Sequence, residues 1–155
     1  MRVSAKIDYA LRACAELAAA AGEGPVKGER LAAAQGVPVR FLENILLDLR
    51  HAGIVSSQRG AVGGYWLARP PAEVSLADVF RALEGPIADV HGEPPEDVAY
   101  TGAAEHLQTV WIAVRAALRS VLETTTLADL VSGNLPEEAK RLAADPHAWE
   151  SRWER

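Results

Sequence analysis

Arg40, Glu43 and Asn44 lie so close in the chain that a helix would bring them to one face. A guanidinium can pair with guanine through two hydrogen bonds, a carboxamide can do the same with adenine, and a carboxylate can accept from the cytosine amino group. Together they form a set able to read base edges. The plain alternative is a solvated helix face, and only the surrounding elements separate the two. A fourth candidate is Arg59, in the run QRGAVGGYW. A cation at a hairpin tip can reach a minor groove or a phosphate. Gly60, Gly63 and Gly64 would let the backbone approach a sugar-phosphate chain closely or take positive φ. A glycine-rich loop can also cradle a nucleotide, but here no Lys-Ser/Thr and helix follow it.

Other chemistries find less support. The single cysteine, Cys14, supplies at most one metal ligand and no internal disulfide. On an apolar helix face it reads as a small core hydrophobe rather than a redox switch. His91 and His106 are two histidines without ligand spacing, read as solvated loop residues. No Ser/His/Asp set can be assembled, so the expectation is no catalytic residue, no metal and no cofactor.

The elements that must position the four candidates follow from periodicity. Ile7, Ala10, Leu11, Cys14, Leu17 and Ala18 recur at steps of three and four, with Ser4 placed as N-cap and Gly22 and Gly24-Pro25 as the stop. A second helix is predicted from Lys27 to Gln35. Gly36-Val37-Pro38 then turns the chain into a third helix beginning near Val39, which is helix-turn-helix spacing. Leu42, Ile45, Leu46 and Leu49 form the inward face of that third helix and put Arg40, Glu43, Asn44, Leu47 and His51 outward. IVSSQR and YWLAR then read as two strands around the GAVGG tip, closed by Pro70-Pro71. The fold class predicted is mainly α with a small β-hairpin wing: a winged helix-turn-helix over 1–72.

The rest is helical. Ser75 caps a helix carrying Leu76, Val79, Phe80 and Leu83, and residues 85–102 read as a loop. From Ala103 to Thr124 a helix of about 22 residues, about 33 Å long, carries Leu107, Val110, Trp111, Val114, Leu118, Val121 and Leu122 as one apolar stripe. One small domain has little core to bury such a length, so the stripe is assigned to packing against the same helix of a second subunit, within a connecting and dimerisation region over 73–132. A tail over 133–155 contains Trp149 and Trp153, one turn apart, which are expected to dock on the body.

Charge divides the same way. Residues 1–69 hold nine Lys and Arg against six Asp and Glu, net +3, whereas 70–155 carry net −8. A basic reader joined to an acidic assembly or sensing region would show this asymmetry. No apolar run approaches a membrane span, and the start MRVSAKIDYALRA places charges where a signal peptide needs its apolar segment, so a cytoplasmic protein without a membrane partner is expected.

The sequence also resembles the Rrf-type (IscR/NsrR/CymR) winged-helix regulators. The likeness runs through MRVSAKIDYALRA and AAAQGVPVRFLENILLDLRHAGIVSS, is most specific in QRGAVGGYWLARP and VSLADVFRALEGP, and resumes in ETTTLADLV. It implies a homodimer with crossing C-terminal helices, with Arg40, Glu43 and Asn44 in the major groove and Arg59 at the wing. Arg40 and Asn44 differ from the Ser and Gln common in the best-known members. Iron–sulfur members hold their cluster with three cysteines before the long helix, and here that loop, GPIADVHGEPPEDVAYTGAAEH, has none. Asp8 resembles a carboxylate that some nitric-oxide-sensing members donate, and is read as a surface or interface residue. The expected function is a homodimeric, sequence-specific repressor of double-stranded operator DNA, its effector a small molecule, a protein or none. The second reading is a winged-helix protein-interaction module.

Overall fold

In the computed structural model, which describes residues 2–151, α1 (Ala5–Ala19) begins where Ser4 Oγ accepts the Ile7 N–H at 3.2 Å. Its Ile7, Ala10, Cys14 and Leu17 are at most 2% exposed. Around this stripe the other elements gather, because the small Ala10, Ala13 and Ala18 let neighbouring backbones come close. α2 (Gly28–Gln35) and α3 (Val39–His51) pack on α1 and on each other. The turn between them needs Gly36, at φ 63°, whose N–H closes the end of α2. Leu42, Ile45, Leu46 and Leu49 are no more than 1% exposed, as the helical period requires.

β1 (Val55–Gln58) and β2 (Gly64–Leu67) form an antiparallel hairpin in the register Val55 to Leu67 through Gln58 to Gly64. Val26 lies along its free edge. The Val26 N–H donates to the Tyr65 carbonyl at 2.9 Å, and the Tyr65 N–H to the Val26 carbonyl at 2.8 Å. One residue between a glycine-proline turn and a helix leaves no period to detect, so this third rung has no signature in the sequence.

α4 (Leu76–Glu84) and α6 (Leu127–Ser132) each begin in a capping box, Ser75 with Asp78 and Thr126 with Asp129. The two starts are tied together, Leu76 N–H to the Thr125 carbonyl and Leu127 N–H to the Val74 carbonyl, both at 2.9 Å. Val74, Ala77, Val79 and Leu127 are fully buried, and both helices pack on α1. α5 (Leu107–Leu122) is 16 residues, about 24 Å, rather than the longer helix expected. Gly102–Ala104 turns separately as 3-10 helix before it, with Gly102 at φ 61°. The connector before α5 lies against it. The Gln108 amide donates to the carbonyls of Pro95, Glu96 and Val98, and Arg115 pairs with Glu96 at 2.5 Å. A hydrogen bond from its own backbone N–H, and then the Arg115 guanidinium, hold the Glu96 carboxyl below its usual range.

The tail corrects one expectation. After α7 (Glu137–Ala143) the chain turns back on that helix, where the Trp149 indole N–H donates to the Ala143 carbonyl at 2.6 Å. The ring is 79% exposed and does not dock on the body. Trp153 lies outside the described residues. No helix among the described residues is long and apolar enough to cross a membrane.

Candidate nucleic-acid interface

The third helix is held from two sides. Its leucine and isoleucine stripe locks it into the core, while α1 grips its flank. Lys6 Nζ meets the Asp48 carboxylate at 2.8 Å, and the Tyr9 ring stands edge-on to Phe41 at 5.7 Å and 84°. Arg12 lies 5.5 Å over the Tyr9 ring, donates from Nε to Gln35 Oε1 at 3.2 Å and from a second nitrogen to the Gln35 carbonyl. One arginine thus joins the end of α2 to the aromatic pair that steadies α3. Asp8, exposed, pairs with Arg12 at 3.1 Å and belongs to this brace. Sequence reasoning missed Phe41. Its signal was an aromatic lying off the Leu42-Ile45-Leu49 stripe, 41% exposed and without a core to enter.

On the outward side Arg40, Glu43 and Asn44 are exposed together, beside Leu47 and His51. Among the described residues, none of Arg40, Glu43, Asn44 or Arg59 has a side-chain hydrogen bond or ion pair within the chain. Their donors and acceptors stay available to an external partner. Arg59 follows β1 directly and stands at the tip of the hairpin with Gly60, which is exposed at φ 105°.

Gly63 and Gly64 differ from the other candidates in being buried. A Cβ on Gly63 would sit 2.0 Å from the Gln58 carbonyl oxygen, and one on Gly64 2.6 Å from that of Val26. The close approach that calls for glycine here is therefore to the protein's own backbone: these two residues shape the wing.

The long helix is only partly covered within the chain. None of its residues is buried. Val110 is 50% exposed, Trp111 36% and Val114 40%, and Ile112, which the expected stripe did not include, is 39%. Leu107, Leu118, Val121 and Leu122 are half-buried.

Cys14 is fully buried in α1, and desolvation pushes its thiol up to about 12. A thiol held neutral is a poor nucleophile and a poor metal ligand. Maleimide labelling of the folded protein at pH 8 is expected to be negligible and to become complete on denaturation; rapid native labelling would contradict this burial. His91 and His106 are exposed. Among the described residues, no group of three or more His, Cys, Asp or Glu side chains could hold a metal ion.

A helix-turn-helix whose outer helix shows a polar face, followed by a glycine-shaped hairpin with arginine at its tip, defines a winged-helix DNA-binding transcription regulator. Comparison with known proteins gives the family. The model of the Rrf2 family, described as "Iron-dependent Transcriptional regulator", matches residues 3–133, and the chain belongs to that family. It is 52% identical over 151 residues to an HTH-type transcriptional regulator of Mycobacterium tuberculosis, covering 97% of this chain and 94% of that one. The regulator CymR of Bacillus subtilis is 39% identical over 132 residues, 85% of this chain and 91% of the relative. Its solved structure, titled as the global cysteine regulator, aligns with TM-score 0.74 over 86% of this chain and 98% of that one. The structure of T. potens IscR aligns with TM-score 0.71 at 36% identity, over 90% and 91% of the two chains. The Mycobacterium tuberculosis and Bacillus subtilis relatives are both named as transcription regulators.

Proposed function

We propose that the chain acts in the cytoplasm as a homodimeric repressor of a pseudo-palindromic operator, without an iron–sulfur cluster. The observation that carries the DNA contacts is the exposed, internally unpaired set Arg40, Glu43 and Asn44 on a helix fixed from behind, with Arg59 free at the wing tip. In this reading the three helix residues meet base edges in the major groove. Arg59 enters the minor groove or meets phosphate. Gly60 gives the tip its turn, while Gly63 and Gly64 set its shape. The dimer is supported by α5, whose apolar Val110, Trp111, Ile112 and Val114 stay 36–50% exposed within the chain. Two-fold symmetry would then place the recognition helices on half-sites about one DNA turn, roughly 34 Å, apart.

Iron–sulfur chemistry does not fit the donors present. The connector from Gly85 to His106 has no cysteine. The lone thiol is buried and held neutral, whereas a cluster needs thiolates. The signal in this reading is a small molecule, a partner protein or none. Anaerobically purified protein is expected to show no visible iron–sulfur absorbance; a stable chromophore would overturn that part of the proposal.

Genome-wide identification of bound DNA, followed by footprinting of the recovered sites, tests the whole reading. On such an operator Arg59→Ala is expected to weaken binding by about 1–3 kcal/mol, and Asn44→Ala to relax preference at one base pair of each half-site. Unchanged binding by both variants, as intact dimers, removes these contacts. Recovery of a protein partner with no enriched DNA would favour the interaction-module reading instead.

A further inference from the structure

Along the β2 edge the wing is fastened to the helical body at two points, while on β1 the Ser57 hydroxyl accepts from Arg50 of α3 at 3.2 Å. The first is the Val26 to Tyr65 rung. The second is Lys27, the residue preceding α2, whose Nζ donates to the Gly60 carbonyl at 2.6 Å. That carbonyl also accepts the Gly63 N–H at 3.1 Å, so one oxygen closes the tip turn and takes the lysine. Gly28, next in the chain, is buried with its open Cβ position 3.5 Å from the Tyr65 ring. The segment 26–28 therefore carries the hairpin along its length, and only Lys27 reaches the tip. Gly60 is bonded directly to Arg59, whose side chain has no partner among the described residues.

We infer that Lys27 is a positioning residue for the wing: its ammonium latches the Gly60 carbonyl and so sets where Arg59 stands relative to Arg40 and Asn44. The inference rests on the proposed operator contacts for its consequence, but the latch itself can be read without DNA. An ammonium has three donors, so this bond is compatible with a phosphate contact, and the double-variant comparison separates the two roles. A latch needs that bond, and it needs a flexible four-carbon stem to span from α2 to the tip.

The test is amide hydrogen exchange of the free full-length protein at Gly63 and Tyr65. Lys27→Met keeps the length of the stem and removes the donor, and is expected to speed exchange at Gly63 by about three- to tenfold while leaving the α3 amides unchanged. Lys27→Arg, which retains a donor, is expected to restore most of the protection. On the operator, Lys27→Met and Arg59→Ala should each weaken binding, and the double variant should be little worse than Arg59→Ala alone. Wild-type exchange in Lys27→Met, or affinity losses that add in full, would overturn the latch. If the wild-type protein bound no DNA, the operator reading would fall while the exchange measurement still decided whether Lys27 holds the wing.

Discussion

Val114→Glu is expected to leave the protomer folded and to raise the dimer dissociation constant by about a thousandfold, about 4 kcal/mol. Val114 is 40% exposed within the chain, so the carboxylate is solvated in an isolated protomer and circular dichroism should show the same helix content. If α5 pairs with its copy through this face, the same carboxylate is buried twice per dimer among apolar side chains such as Val110 and Trp111. Desolvating an unpaired charge is among the most costly substitutions. Sedimentation measures the assembly, and operator binding is expected to fall with it, since one protomer contacts one half-site only. An unaltered dimer would show that the interface lies elsewhere, and a loss of helix content would show that Val114 supports the protomer itself.

The second large effect is expected from Gly63→Ala. The added Cβ would lie 2.0 Å from the Gln58 carbonyl oxygen and 2.7 Å from the Arg59 carbonyl carbon. Both are backbone atoms, so no side-chain rotamer relieves the clash, and the hairpin tip must open. A cost of about 3 kcal/mol is reasonable for forced overpacking, and would lower Tm by roughly 10 °C in a chain of this size. The opened tip would also carry Arg59 away, so operator affinity should fall at least as far as in Arg59→Ala. Ala61→Gly, two residues away in the same turn and exposed, is the control and should do little. A Gly63→Ala protein with native Tm and full affinity would refute the close approach.

What the sequence made legible follows from the kind of signal each element leaves. The helix faces were clear because Leu42, Ile45, Leu46 and Leu49 repeat at the helical period, and the outward placement of Arg40, Glu43 and Asn44 is the geometric complement of that stripe. The hairpin was clear because its residue types change sharply at Ile54. Contacts between distant segments leave no such trace. The Val26 rung, the Lys27 latch and the Tyr9 to Phe41 pair each depend on where two separated segments meet, and a single residue carries no period. The overlong reading of α5 has a similar cause. Ala103 and Ala104 suit a helix by composition, whereas they turn with Gly102 as 3-10 helix where the connector lies on Gln108 and Arg115. The tail misled because two tryptophans invite burial, while Trp149 instead finds a carbonyl on its own neighbouring helix.

The position of α1 has a mechanical consequence. On one side it carries α2, α3 and the wing, and on another α4 and α6, and α4 also packs directly on α3, so the reading half and the acidic half share one interior. A close-packed interior passes strain on rather than absorbing it. Travel in α4 has no slack to cross before it meets α3, both directly and through α1. In the proposed regulator, an occupant of the second half that favoured one seating of α4 would turn the recognition helix with it.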